Sequence, residues 1–439
     1  MKYKKRELLS MVDSMQKACN IIYKRNNIPK ENLIDILTEC QAVAIEVGNY
    51  IESAFEGKEF IVKLLEDYVE TVYQISLCHD TPIEYSKNIK VMWQQLMEIY
   101  NKINLDIPED KKEVVFLPYK AAMWDSLESI WMAADKRDDV DAYVIPIPYF
   151  DKNEDGSFGA MHYEGEEYPE YVPITKWDEY DLTTRRPDAI YFHNPYDDMN
   201  HVTSVHPDYY SNELQKHTNM LVYVPYFVAV NDTICEELCL NPGVLFANKV
   251  IVQSEIVRKV YIEQFHKFEK ENSCEGVFGV AEDKFLALGS PKYDKILNSN
   301  KNDFDLPMDW KAKIYKEDNT ARKIILYNTT IDAMLNQKGM VEKIEQVLEI
   351  FEKQDEVLLW WRPHPLLQAT LQAMKPIDYE KYMRLVNDFM EKQIGIYDDT
   401  ADLQRAIVYA DAYYGDNSSV VELFKQTGKP ILLQRVANE

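Results

Sequence analysis

From the N-terminus to about residue 110, apolar positions recur every three or four residues. Leu8, Leu9, Val12, Met15, Ala18, Cys19 and Ile22 form one such stripe. After Pro29 a second runs through Leu33, Ile36, Leu37, Cys40, Ala44 and Val47. Phe60, Ile61, Leu64, Leu65, Tyr68, Val72 and Ile75 make a third. A fourth, after His79-Asp80-Thr81-Pro82, takes in Ile89, Met92, Trp93, Leu96 and Ile99. This is the spacing of amphipathic helices. The short connections predict antiparallel packing, so residues 1–110 read as a helical bundle. Its stripes suggest self-association, and a homodimer through these helices is expected.

At Lys111 the pattern changes to short β-rich runs separated by helical ones. Val114–Pro118, Tyr143–Ile147, Ala189–Phe192, Met220–Val224, Lys249–Val252 and Lys284–Gly289 read as strands, with helices over Met123–Ala134 and before Phe265. A second series follows, with strands at Lys323–Tyr327, Val357–Trp361, Ile394–Tyr397, Ala412–Tyr414 and Pro430–Leu433. Helices over Met340–Glu352, Tyr382–Lys392, Asp402–Tyr409 and Ser419–Gln426 lie between them. Such alternation predicts parallel sheets with helices on both faces. Asp303, Asp305, Pro307, Asp309, Glu317 and Asp318 mark a linker. The expected organisation is a helical region at 1–110 and two doubly wound domains at 111–298 and 299–439. Ligands bind such sheets at the carboxyl ends of their strands.

Charge narrows the partners. The chain has 439 residues, with 49 Lys and Arg against 74 Asp and Glu, a formal net charge of −25. That balance disfavours nucleic acid and, for the body of the chain, an anionic membrane. The first thirty residues are the exception, with eight basic (Lys2, Lys4, Lys5, Arg6, Lys17, Lys24, Arg25, Lys30) and two acidic side chains (Glu7, Asp13). They allow at most a peripheral contact with an acidic surface. No apolar run reaches transmembrane length, and the first apolar stretch is too short and too charged for a signal peptide. The six scattered cysteines read as reduced thiols, which places the chain in the cytoplasm.

Four segments carry chemistry. Asp411-Ala-Tyr-Tyr-Gly-Asp416-Asn417-Ser418-Ser419-Val-Val-Glu422 takes a strand through a turn into a helix. Ser419 and Glu422 have capping-box spacing, and free N–H groups, two hydroxyls and the helix dipole suit a phosphate. In Leu358-Leu359-Trp360-Trp361-Arg362-Pro363-His364-Pro365, Arg362 and His364 emerge at a strand end. Arginine binds phosphate in bidentate fashion, and histidine carries a proton or donates to a phosphate oxygen. Gly289-Ser290-Pro291-Lys292-Tyr293-Asp294 closes the first series, and Tyr327-Asn328-Thr329-Thr330 follows the first strand of the second. No GxGxxG or Walker sequence is present, which disfavours NAD and P-loop chemistry. Asp139-Val-Asp141 and Asp303-Phe-Asp305 are DxD pairs by chance spacing, and no metal site is expected. Rings at Tyr119, Trp124, Tyr149, Tyr163, Tyr196, Tyr209 and Tyr226 suit a cleft for a polyol or sugar.

These segments together resemble the CDP-glycerol glycerophosphotransferases, the teichoic-acid polymerase- and primase-like enzymes of Gram-positive bacteria. Arg362-Pro363-His364-Pro365 is similar to the family's Arg-Pro-His-Pro. Asp416-Asn417-Ser418-Ser419 is similar to its Asp-Tyr-Ser-Ser, and Gly428-Lys429-Pro430 to its Asp-Lys-Pro. Gly289–Asp294 is similar to its Gly-x-Pro-Arg-x-Asp, and Leu326–Thr330 to its Tyr-Ala-Pro-Thr-Trp. The resemblance spans residues 283–435 and, more loosely, 113–282. It implies a GT-B fold of tandem Rossmann domains and transfer of glycerol phosphate from CDP-glycerol to an acceptor hydroxyl of a polyol or glycan, with CMP leaving. It implies no cofactor and no required metal. Arg362, Asp416, Asn417, Ser418 and Ser419 would hold the diphosphate, with Thr329, Thr330, Ser290 and Lys292 as secondary contacts. The family's Trp-His-Gly turn, which carries its base, is absent: the comparable strand reads Leu221-Val222-Tyr223-Val224-Pro225-Tyr226-Phe227. His193, at a neighbouring strand end, becomes the candidate base, and His364 the phosphate donor or alternative base. A nucleotide-sugar transferase of GT-B fold and a non-catalytic nucleotide- or polymer-binding scaffold are the alternatives.

Overall fold

Four helices build the first of two compact units, Met1–Lys112, and everything from Glu113 to Glu439 forms the second. The computed structural model describes residues 5–24, 28–78, 81–153, 155–400 and 402–435. Lys2, Lys4 and Arg25 of the basic N-terminal stretch, and His79 and Asp80, lie outside the described residues. The helices are α1 (Lys5–Lys24), α2 (Lys30–Ala54), α3 (Glu59–Leu77) and α4 (Pro82–Asp106). Pro82 sits in the first turn of α4, where its missing N–H costs nothing. The stripes close on one another: Leu8, Val12, Leu37, Ala44, Ile61, Tyr68, Leu96 and Ile99 share one core. The apolar faces read as a dimer surface are therefore consumed inside the unit. Two stripe members fall outside it. Phe60 and Trp93 are exposed.

The second unit holds two parallel sheets. The first contains β1 (Lys112–Leu117), β2 (Val140–Val144), β5 (Ala189–Phe192), β7 (Leu221–Tyr223), β8 (Lys249–Val252) and β9 (Phe285–Ala287), in the order β2-β1-β5-β7-β8-β9. Strand β2 ends three residues earlier than its apolar run predicts. Pro146 has no N–H to give a ladder, although Ile145 and Ile147 still donate to Phe116 O and Pro118 O. Between these strands β3 (Tyr149–Lys152), β4 (Phe158–His162) and β6 (Thr203–Val205) form a small antiparallel sheet that the alternation did not reveal. The second large sheet contains β10 (Lys323–Thr329), β11 (Val357–Pro363), β12 (Gly395–Tyr397), β13 (Ala412–Gly415) and β14 (Ile431–Leu433), ordered β12-β11-β10-β13-β14. All its pairings are parallel.

Period-two burial assigns the faces. On the second sheet Ile324, Leu326, Leu358, Trp360 and Tyr413 pack on one side, and Tyr327, Leu359 and Trp361 on the other. The first sheet divides in the same way, with Val115, Leu117, Ile190 and Tyr223 opposite Phe116, Val222 and Val224. Both faces are covered, as in a doubly wound fold. Lys429 of the Gly428-Lys429-Pro430 segment closes a helix end: its Nζ donates to the carbonyls of Val408 (3.0 Å) and Ala410 (2.6 Å), behind the helix Leu403–Tyr409.

Candidate active site

In the second sheet the chain lays down β10, β11 and β12 in one direction and then crosses to β13 on the other side of β10. The carboxyl ends of β10 and β13 thus flank the point where strand order reverses, where open α/β sheets bind ligands. The approach of β13 to β10 depends on Gly415. Its φ is +151°, and a Cβ there would lie 2.3 Å from Asn328 O. Asn328, buried at the same point, ties three segments together. Its Nδ2 donates to Arg362 O (2.9 Å), and its Oδ1 accepts from Ser418 Oγ (3.1 Å). Asp416 is also buried. It accepts from the backbone N–H of Thr330 (2.7 Å), from Thr330 Oγ (3.0 Å) and from Gln434 Nε2 (2.6 Å). Burial raises its pKa and these donors oppose the rise. Asp416 therefore shapes the crevice rather than facing a ligand. Around it Asn417 and Ser419 are exposed, and Ser418 and Thr330 half-buried.

The expected capping box does not form. The helix starts at Ser419 with Ser418 as its cap residue, and Glu422 turns elsewhere. Glu422 accepts from the N–H of Asn231 (2.9 Å), which a positive φ aims toward it, and from Lys425 Nζ (2.8 Å). Asn231 lies after β7, so this contact joins the two sheets' ends.

Arg362 and His364 part company at the end of β11. Arg362 points inward: its Nη1 lies 2.9 Å from Asp398 Oδ2, and its Nη2 donates to Thr400 O (2.6 Å). Asp398 is fully buried and also accepts from Trp360 Nε1 (2.9 Å). This arginine, expected on a diphosphate, neutralises a buried carboxylate under the site. Arg362 continues the Trp360 face of β11, whereas His364 lies beyond the strand's end at Pro363. His364 is exposed. Its Nδ1 accepts from Leu366 N–H (3.2 Å), which leaves the ring hydrogen on Nε2, facing outward. Partial desolvation holds its pKa below the ordinary value, so the ring is neutral at pH 7. Thr329 is buried and accepts from Trp361 Nε1 (3.2 Å), away from the crevice.

At the corresponding reversal in the first sheet, between β1 and β5, lies His193. It is fully buried. Its Nε2 accepts from Tyr119 N–H (2.7 Å), so Nδ1 carries the hydrogen and donates to Ser126 Oγ (2.8 Å). Burial, then the charge of Lys292, push its pKa down to about 3. Both nitrogens are engaged inside the protein, and the ring presents no lone pair to an acceptor. Lys292 itself is held by buried Asp125, at 2.6 and 2.7 Å from its two carboxylate oxygens, and Gln404 Nε2 reaches the same carboxylate (2.6 Å). Lys292 is thus paired within the first-sheet half, and Gln404 reaches across from the second to the same carboxylate. Ser290 Oγ is buried without a partner, beside Gln253 and Pro225 at the ends of β8 and β7. Of the expected cleft aromatics, Tyr119, Trp124, Tyr149 and Tyr209 are core residues. Tyr196 and Tyr226 remain half-buried, their hydroxyls 3.1 Å apart.

The sequence analysis missed Asn328, Asp398, Gln404, Gln434 and Asp125. Asn328, an amide inside an apolar strand, was the one with a visible signal. The others act through partners well separated in sequence, from 18 residues (Gln434 to Asp416) to 279 (Gln404 to Asp125). Among the described residues no group of three or more His, Cys, Asp or Glu side chains is placed to hold a metal ion.

Residues 250–436 match the family described as CDP-Glycerol:Poly(glycerophosphate) glycerophosphotransferase. No curated protein matches. The glycerophosphotransferase segment takes in β8 to β14 and the whole second sheet, and so includes the Asn328, His364, Asp416 and Ser418 cluster; His193 and Tyr119 lie before it. Among solved structures, the chain is similar to a putative UDP-N-acetylglucosamine 2-epimerase from Listeria monocytogenes (14% identity, 75% of this chain and 80% of that one, TM-score 0.43). It is similar to UDP-GlcNAc 2-epimerase from Neisseria meningitidis (12%, 74% and 83%, TM-score 0.42). A structure of the wall teichoic acid polymerase TagF aligns over 83% of this chain and 78% of that one, at 14% identity and a TM-score of 0.40. The architecture is α/β, with two parallel sheets preceded by a helical N-terminal region. No described helix is long and apolar enough to cross a membrane.

Proposed function

We propose that this protein moves glycerol phosphate from CDP-glycerol to an acceptor hydroxyl of a cell-envelope polymer or its precursor. The family match over residues 250–436 carries the reading. The acceptor oxygen attacks the phosphorus that bears glycerol, the bond from that phosphorus to the bridging oxygen breaks, and CMP leaves. Phosphoryl transfer asks a protein mainly for alignment and for donors to the charge on phosphate. Asn417 and Ser419 supply neutral O–H and N–H groups at the β10/β13 crevice for the diphosphate, and Thr330 and Ser418, whose hydroxyls donate to Asp416 and Asn328, fix the crevice around them. His364 supplies Nε2–H. With Nδ1 occupied by Leu366 N–H, the neutral ring is a donor to a phosphoryl oxygen, not a base. Arg362 and His193 act as positioning residues, one fixing the end of β11 and the other joining the ends of β1 and β5. The reaction proceeds without a bound metal. The chain works in the cytoplasm, and its acceptor brings it to the inner face of the membrane.

The test is titration calorimetry with CDP-glycerol, CMP and UDP in EDTA-treated buffer, followed by CMP-release kinetics. Selective cytidine-nucleotide binding is expected, and a preference for UDP overturns the donor assignment. His364→Ala should lower kcat by about a hundredfold or more with donor affinity little changed, and His364→Gln, which restores an N–H, should recover part of it. The Ser418/Ser419 double alanine variant should weaken CDP-glycerol about tenfold. Full activity in both variants sinks the site. Light scattering tests the homodimer, which would have to form through helix surface outside the buried stripes.

A further inference from the structure

The helical unit carries its charge unevenly. Helices α1 and α4 together hold seven basic and five acidic side chains, whereas α2 and α3 hold two and nine. Helix α1 packs against α4, and α2 against α3, so the two pairs form opposite faces of the bundle. In a chain of net charge −25 the α1/α4 face is the basic one. On that face lies a groove of about 390 Å³, lined by Asn20, Tyr23, Lys24, Lys90, Trp93 and Gln94. Trp93 belongs by spacing to the apolar stripe of α4, yet it is 44% exposed, and Tyr23 is 57% exposed. Lys24 and Lys90 take part in no ion pair among the described residues, whereas Lys17, Lys63 and Lys102 are each paired with a carboxylate of their own helix.

Two unpaired ammonium groups beside two uncovered rings form a surface for a ligand that alternates phosphate with a carbon chain. Ammonium groups take phosphates, and Trp and Tyr faces take the C–H edges of a polyol. The groove is concave and lies between two helices, so it admits a chain rather than a flat bilayer, and the apolar faces of α1 and α4 are spent in the bundle core. We propose that the α1/α4 groove binds a glycerol-phosphate chain, the polyanionic acceptor or product of the transfer. The proposal rests on the function above for the identity of the polymer. Retention on the same protein keeps the growing chain at high local concentration between additions.

The experiment uses the full chain and a synthetic glycerol-phosphate oligomer. Binding is read by tryptophan fluorescence, with Trp93→Phe identifying the responding ring. The expected result is a Trp93 signal that weakens with added salt, and about a tenfold loss of affinity in Lys24→Glu/Lys90→Glu. Both lysines are at the surface, so the double variant should fold, and CMP release onto a short soluble acceptor should equal that of the parent. Oligomer binding unchanged in the double variant overturns the proposal. So does a Trp93 response to phosphatidylglycerol vesicles with none to the oligomer, which makes the groove a membrane contact. Failure of CMP release in the parent counts against the transferase reading instead, because oligomer binding is measured without the donor.

Discussion

His193 illustrates how burial sets the chemistry of one side chain. The native ring resists protonation down to about pH 3, whereas the unfolded chain takes up its proton near the ordinary value of 6.5. Between these values the unfolded state holds more protons, so stability rises with pH. The contribution is complete above pH 6.5 and is lost as pH falls toward 3. Below pH 6 it should drain at up to about 1.4 kcal/mol per pH unit. Denaturant titrations between pH 7.5 and 4.5 check this. His193→Gln should be less stable at pH 7.5, and its stability should fall less steeply with acid. Equal slopes for parent and variant would return the ring to an accessible state, and with it the role of base.

At the scale of elements, the crevice exists because β13 runs unusually close to β10. Gly415 makes that approach possible, and Asn328 and Asp416 hold its two sides together. Gly415→Ala would drive a Cβ into Asn328 O, and backbone cannot yield as a flexible side chain does. We expect a loss of about 3 kcal/mol or more, from the clash together with strain at a positive φ. CDP-glycerol affinity should fall in the same variant, because Ser418 and Thr330 are positioned through the same contacts. Urea unfolding and calorimetry measure the two effects separately. A variant with parental stability would show that the strands separate freely.

At the scale of the second unit, a few polar contacts join the ends of the two large sheets. Asp125, beside the first sheet, accepts from Lys292 on the helix that leaves β9 and from Gln404 next to the second sheet. Glu422 reaches Asn231 across the same junction. Removing one partner of a buried pair leaves the other charge without compensation, at a cost of about 3–5 kcal/mol. Asp125→Ala should therefore lower the unfolding temperature sharply, while Gln404→Leu, which removes no charge, should lower it little. Scanning calorimetry distinguishes them, and similar small shifts in both would show that the Lys292 pair is solvated.

Local pattern alone determined the helices of residues 5–106, the strands of both parallel sheets and the segments at their carboxyl ends, because periodicity and strand-end chemistry are properties of neighbouring residues. The resemblance read from Arg362–Pro365, Asp416–Ser419 and Gly289–Asp294 pointed to the family whose model matches residues 250–436 for the same reason. The direction of each side chain was decided only by tertiary structure. Arg362 and His364 are two residues apart in one motif, yet one turns to buried Asp398 and the other to solvent. Lys292 reads as a phosphate ligand until Asp125, 167 residues earlier, is brought against it. Trp93 keeps the spacing of a core residue and lies outside the core. Which partner a polar group meets, and whether water reaches it, depends on contacts between distant segments, and only the folded chain supplies those.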